Sequence, residues 1–208
     1  MKFDRDDANK LLEIIKARRD VRGNRFLDTP IEDEKLNTIL EAGISAPSVG
    51  YSQPWKFVVI KNTQIKENIF NNFSDENIKA KEIFKDKELY KNLKLEGIKE
   101  TPINIAILYE EPSKETLGST SMKRMGEYSV VCAVQNMWLM ARALNIGLGW
   151  VSILDANKVL KEIQAPKNSQ LIAYVCLGYV DKFYQESELK TLGWDREKKL
   201  KECVVFKD

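Results

Sequence analysis

The run YSVVCAVQNMWLMARALNI (residues 128–146), followed by GLGWVSIL (147–154), decides how this chain is built. Val130, Val131, Val134, Met137, Trp138, Leu139, Met140 and Leu144 predict a helix over 128–146 with almost no polar face. A helix apolar nearly all round is either the centre of a core or a contact between subunits. Gln135, Asn136 and Arg142 inside it argue against a membrane span. Gly147 and Gly149 are read as the helix stop, and residues 150–154 as a short strand.

Upstream, residues 103–109 form an unbroken apolar strand after Pro102, suited to the middle of a sheet, and 112–123 form a long polar loop. Residues 61–100 are rich in lysine balanced by acids, but Ile69, Phe70, Phe73 and Tyr90 predict two or three amphipathic helices, a segment able to act as a lid. A strand is expected at 57–60. Before it, Thr29, Pro30 and Glu32 read as a capping box opening a second helix, with Leu36, Ile39, Leu40 and Ile44 on its buried face and Pro47 after its end. Leu11, Leu12 and Ile15 give a first helix that runs into Arg18. Downstream, Asp155 caps a helix that stops before Pro166, and 171–180 is the next strand. The tail, 181–208, is too polar to fold alone, yet Leu192, Trp194, Leu200 and Phe206 need a surface; an arm clasping a second subunit meets that need.

The chain has 208 residues, 43% of them hydrophobic, enough for a single domain spanning 1–208. A net charge of +2 from 33 basic and 31 acidic residues, intermixed, gives no face for nucleic acid, so small molecules are the expected partners. With no histidine, Ser-His-Asp and Cys-His catalysis and His-containing zinc sites are excluded, and no metal site is expected. Cys132, Cys176 and Cys203, odd in number and far apart, read as reduced packing residues of a cytoplasmic protein. The N-terminus, MKFDRDDANK, lacks the apolar core of a signal peptide.

Two stretches carry chemistry. Arg18-Arg19-Asp20-Val21-Arg22 sets three guanidinium groups around one carboxylate at a helix end: a grip for a phosphate with an acid to spare, although alone such a cluster is most often a solvated ion pair. APSVGYSQPW (46–55) offers hydroxyl and amide groups, with Gly50 allowing close backbone approach. No P-loop or GxGxxG fingerprint is present, which argues against a nucleotide-binding doubly wound fold.

Together RRDVR (18–22), APSVGYSQPW (46–55), LKLEGIKETP (93–102), YSVVCAVQNMWLMARA (128–143) and GLGWVSI (147–153) resemble the nitroreductase-like flavoprotein family over nearly the whole chain. Asp20, and Val49-Gly50-Tyr51 before Ser52, resemble the branch that makes 5,6-dimethylbenzimidazole, the lower ligand of cobalamin. The resemblance implies an α+β fold with a mixed, mainly antiparallel sheet flanked by helices, in an intertwined homodimer with FMN at the interface. It implies flavin contacts from Arg18, Arg19, Asp20, Val21, Arg22, Ser48, Gln53, Ser152 and Arg196, with Asp20 and Ser152 catalytic. The implied reaction fragments reduced FMN with O2 into 5,6-dimethylbenzimidazole and erythrose 4-phosphate. FMN is then a substrate, and NAD(P)H acts only through a separate flavin reductase. An NAD(P)H-dependent nitroreductase or flavin reductase is the alternative, and a non-catalytic flavin-binding protein the third reading.

Overall fold

The computed structural model describes residues 1–207. Four strands, β1 (Trp55–Ile60), β2 (Ile103–Glu110), β3 (Gly147–Val151) and β4 (Ser169–Gly178), form one sheet in the order β1-β2-β4-β3, every neighbouring pair antiparallel. The expected parallel component enters at the β3 edge, where Asp20 forms a parallel bridge with Leu148. The result is the α+β sheet flanked by helices that the sequence led us to expect.

Both faces of the sheet are covered, which explains why β2 is apolar from Ile105 to Leu108 and why Asn104, its one buried polar side chain, is hydrogen-bonded. Ile103, Ile105 and Ile107 of β2, with Ala173, Val175 and Leu177 of β4, face α2 (Asp33–Ile44) and α5 (Met125–Ala143). Ala106, Leu108, Tyr174 and Cys176 face the other way, onto α3 (Thr63–Ile83) and α6 (Ala156–Glu162). Asp155 caps α6 by accepting from the amides of Asn157 and Lys158. α4 (Glu88–Asn92) follows α3, so the 61–100 region holds two helices; its Ile69, Phe73 and Ile98 are core residues.

Several local readings are corrected. α2 starts at Asp33, with no side-chain cap, because the Glu32 carboxylate is taken by the Tyr179 hydroxyl at 2.5 Å and by Lys35 at 3.3 Å and does not close a box on Thr29. α5 is stopped by Asn145, which takes the left-handed conformation (φ 57°), a role asparagine shares with glycine at helix C-termini. Gly147 and Gly149 therefore belong to β3, paired with Gly178 and Cys176, and the strand ends at Val151 where residues 150–154 were expected. α5 has a buried face, including Val130, Val134, Met137 and Ala141, but Tyr128, Val131, Cys132 and Gln135 lie open on the other side. Cys132 is thus exposed, as is Cys203, and only Cys176 is a core thiol. α1 (Arg5–Ala17) has no buried residue: Leu11, Leu12 and Ile15 all face outward.

The tail folds back over the chain through α7 (Glu188–Thr191), and Trp194 meets Phe84 edge-on at 5.6 Å while Lys87 lies 4.2 Å from the indole. α8 (Leu200–Cys203) follows, and Leu200, Val205 and Phe206 remain exposed. Among the described residues no helix is long and apolar enough to cross a membrane.

Candidate active site

α1 ends at Ala17, and Arg18 turns into extended backbone that carries the chain along the edge of β3. The Val21 amide donates to the Leu148 carbonyl at 3.1 Å. This approach is possible only because residue 149 is glycine: a Cβ there would stand 2.0 Å from the Val21 carbonyl oxygen. Val21 is buried and serves as the anchor of the segment, while Arg18, Arg19, Asp20 and Arg22 line a cavity of about 200 Å³. Its opposite walls are Leu93, Lys94 and Leu95 on one side and Tyr184, Glu188 and Leu189 of the tail on the other.

The four charged residues of the cluster have different surroundings. Arg18 lies with its guanidinium 4.5 Å from the centre of the Trp138 ring, and no carboxylate pairs with it among the described residues. The Trp138 indole in turn donates to the Arg19 carbonyl at 3.0 Å, tying the arginine segment to α5. Arg19 spends its terminal nitrogens on the backbone carbonyls of Lys16, Arg18 and Gln185, and its Nε is buried with no partner. Arg22 bonds three acceptors: Nη1 donates to the carbonyls of Leu95 (3.1 Å) and Trp150 (3.0 Å), and Nη2 contacts Asp20 Oδ2.

Asp20 completes the arrangement. Its Oδ1 accepts from the Trp150 amide at 3.0 Å and its Oδ2 from Arg22, so each oxygen keeps one free lone pair. The side chain keeps 35% of its surface. Burial among the surrounding groups pushes its carboxyl up from the ordinary value, against the pull of Arg22, the Trp150 amide and Arg18. Ser152, two residues beyond Trp150 at the end of β3, is exposed and is not among the residues lining this cavity.

Ser48 and Gln53 sit elsewhere. Their loop packs on the start of α5, where the Val49 amide donates to Ser129 Oγ at 3.0 Å, and Ser48 Oγ accepts from the Gln53 amide at 3.1 Å. The arginine segment touches α5 at Trp138, nine residues further on, a rise of about 14 Å. One chain therefore does not bring the two halves of the expected site together. The loop is strained: Gly50 (φ 54°), Tyr51 (φ 54°) and Gln53 (φ 47°) all have positive φ, which for tyrosine and glutamine costs of order 1 kcal/mol or more each. Beside it lies a second cavity, about 340 Å³, lined in part by Val49, Ser52 and Gly126, with Ser52 Oγ buried and unpartnered. Arg196 lies apart from the first cavity, paired with Glu202 at 2.6 Å, in a groove that it shares with Arg19.

Residues 15–179 match the Nitroreductase family. The chain belongs to the nitroreductase family. Among curated relatives, it is 35% identical to 5,6-dimethylbenzimidazole synthase of Rhodospirillum rubrum, across 92% of each protein. It is 31% identical to the protein of the same name from Rhodobacter capsulatus, across 93% of this chain and 95% of that one. A solved nitroreductase with bound FMN from Bacteroides fragilis superposes with a TM-score of 0.64 at 26% identity, covering 96% of this chain and 100% of the other.

The residues present fit a phosphorylated, planar ligand such as FMN. Arg18 and Arg19 supply cationic groups that form no salt bridge to a carboxylate among the described residues, and the Arg19 Nε is a buried donor in want of an acceptor. The Leu93 to Leu95 wall carries the least obvious site residue, Lys94, whose ammonium is bracketed by Glu96 and Glu100. The motif LKLEGIKETP marked the stretch, but only the fold shows which of its side chains reach the cavity.

Proposed function

We propose that this chain is a 5,6-dimethylbenzimidazole synthase, converting reduced FMN and O2 into 5,6-dimethylbenzimidazole and erythrose 4-phosphate. The observation that carries the reading is Asp20, a carboxylate held by the Trp150 amide and Arg22 on the wall of an arginine-lined cavity, in a chain similar to synthases over nearly its full length. Reduced FMN supplies the reactivity toward O2 and the ring atoms of the product. Arg18 and Arg19 hold the phosphate, neither of them salt-bridged to a carboxylate among the described residues. Asp20 moves the proton: its raised pKa brings the carboxyl closer to the pH at which it exchanges protons readily. We assign to Ser152, two residues past the Asp20 partner Trp150, the role of a hydroxyl donor to the reacting ligand. Leu93, Leu95 and the tail exclude water.

The site is completed by a second copy of the chain. At about 200 Å³ the arginine cavity falls short of the roughly 300–1,000 Å³ of ligand sites. The Ser48 and Gln53 loop, with its own cavity and unpartnered Ser52 hydroxyl, supplies the missing half from the partner. The open faces of α1 and α5, and Val205 and Phe206 beyond Trp194, are the surfaces such a homodimer covers, with the end of the tail as its crossing arm. Arg196 joins the phosphate contacts once the tail settles. A separate flavin reductase delivers the reduced FMN, and the exposed free thiols of Cys132 and Cys203 suit the reducing cytoplasm.

The test is one aerobic incubation of purified protein with reduced FMN, analysed by mass spectrometry. Dimethylbenzimidazole is expected from the wild type, and Asp20→Asn is expected to bind FMN but release none. Undiminished product from Asp20→Asn would remove Asp20 from the mechanism. Rapid NAD(P)H oxidation coupled to a nitroaromatic, without benzimidazole, would replace the reading with that of a nitroreductase.

A further inference from the structure

Trp138 does not line the arginine cavity, but it backs the two arginines assigned to the phosphate. The Arg18 guanidinium lies 4.5 Å from the centre of its ring, and its indole N–H donates to the Arg19 carbonyl at 3.0 Å. Its ring also meets that of Trp150 at 6.2 Å, and Trp150 is the strand residue whose amide donates to Asp20 Oδ1. One turn further along α5, Arg142 Nε donates to the Ala17 carbonyl at 3.1 Å. Two residues four apart on one helix face thus fix the end of α1 and the start of the extended segment.

Arg18 has no other anchor. Among the described residues no carboxylate or carbonyl oxygen accepts a hydrogen bond from its guanidinium, so its five N–H donors are left for a ligand. Burial holds its pKa below the ordinary value and Arg19 adds to that, with Asp20 opposing both, as for a cation that wants a further anion beside it. An arginine side chain without a bonded partner has many rotamers open to it. The indole face selects those that lay the planar guanidinium over the ring, through its attraction for the cation and through stacking.

We infer that Trp138 is a positioning residue for the ligand's phosphate, fixing the aim of Arg18 against Arg19 so that the site prefers a phosphorylated flavin to the same ring system without phosphate. The inference rests on the reading of Arg18 and Arg19 as the phosphate grip. The two contacts of the indole act on different parts of the segment: the ring face on the Arg18 side chain, the N–H on the Arg19 backbone. Phenylalanine keeps the face and gives up the donor, whereas leucine gives up both.

The test compares FMN with riboflavin, which lacks only the phosphate, by flavin-fluorescence titration of the full-length protein at one ionic strength. In Trp138→Leu, FMN affinity is expected to fall about 3- to 30-fold while riboflavin affinity stays within about twofold of wild type. Trp138→Phe is expected to recover most of the preference for FMN. Arg142→Lys keeps the charge near Arg19 but gives up the planar fork to Ala17 and Asn145, and is expected to loosen α1 on α5 with the preference within about twofold of wild type. Equal losses for FMN and riboflavin in Trp138→Leu overturn the inference, because general loosening produces that pattern. A preference lowered as much by Arg142→Lys as by Trp138→Leu overturns it too. Should riboflavin bind too weakly to titrate, the ³¹P resonance of bound FMN decides: it is expected to move in Trp138→Leu and to stay in Arg142→Lys, and an unmoved resonance in Trp138→Leu refutes the role. Should Trp138→Leu fail to fold by circular dichroism, Trp138→Met, apolar and adaptable but without a ring face, carries the same expectation. A wild type that binds FMN and releases no benzimidazole would sink the synthase reading while the preference for FMN still decided the role of Trp138.

Discussion

Gly149→Ala is the most informative single-atom change in this chain, because the added methyl group meets backbone. The new Cβ would lie 2.0 Å from the Val21 carbonyl oxygen, and an ordinary contact is 3.4 Å or more. Neither partner is a flexible side-chain end, so β3 and the Asp20–Val21 segment must part. The hydrogen bond from the Val21 amide to the Leu148 carbonyl, 3.1 Å long, is then broken, and the Trp150 amide is drawn from Asp20 Oδ1. One neutral bond and one bond to a carboxylate together are worth about 3 kcal/mol. For a chain of this size that corresponds to a fall in Tm of about 6–12 °C. Gly147→Ala is the internal comparison: its Cβ would meet Val180 Cγ1 at 2.5 Å and the ring of Phe26 at 3.1 Å, side-chain atoms that can give way, for a loss of about 1 kcal/mol. Thermal unfolding followed by circular dichroism at one fixed protein concentration ranks the two. A Gly149→Ala protein within 2 °C of wild type, or more stable than Gly147→Ala, would refute the close approach on which the site geometry depends.

Two further outcomes are expected. Trp138→Leu removes the ring beneath Arg18 and the donor to the Arg19 carbonyl, so FMN affinity should fall about 3- to 30-fold in a fluorescence titration; an unchanged affinity would detach Arg18 from the ligand. The Asp20 carboxyl is raised in the folded state, so it favours folding below the ordinary carboxylate value and this contribution is lost as pH rises through the folded value. The stability of Asp20→Asn relative to wild type should therefore increase from acid to neutral pH in urea unfolding, and a decrease would contradict the direction.

How much of this was legible beforehand depended on whether the deciding contact was local. Arg18 to Arg22 stood out because helix periodicity ends there and the residue types are unusual together, and α5 and β2 followed from apolar runs, of which β2 is covered on both faces and α5 on one. β3 was misplaced by three residues because glycines after a helix are ordinarily its stop; that Gly149 instead admits the Val21 backbone is a contact between residues 128 positions apart, invisible to any window. The false capping box on α2 has the same origin, since Glu32 answers to Tyr179 from the far end of the sheet. How differently the arginines are surrounded was equally hidden. It depends on the carbonyls of Leu95 and Trp150, backbone groups that any residue carries.

The two walls of the arginine cavity differ in what anchors them, and this bears on how a ligand enters. Beneath the 93–101 wall runs a buried polar network: Glu96 accepts from the Ile98 amide at 2.7 Å, Thr101 donates to Asn104, Asn104 donates to the Ile98 carbonyl and the Tyr174 hydroxyl, and Lys66 reaches the Thr101 carbonyl. All of these residues are buried, and a fully bonded network in a low-dielectric interior fixes one arrangement. The tail wall is held from the surface, by Arg25 on Asp181 and Tyr184, Arg142 over Phe183, and Trp194 against Phe84. Contacts of that kind open locally at far lower cost than a core network does. The 93–101 wall is thus the firmly anchored side of the cavity, and local opening costs least along the tail from Asp181 to Trp194. Opening there would part Arg19 from the Gln185 carbonyl and leave the bonds of Asp20 to Arg22 and Trp150 in place.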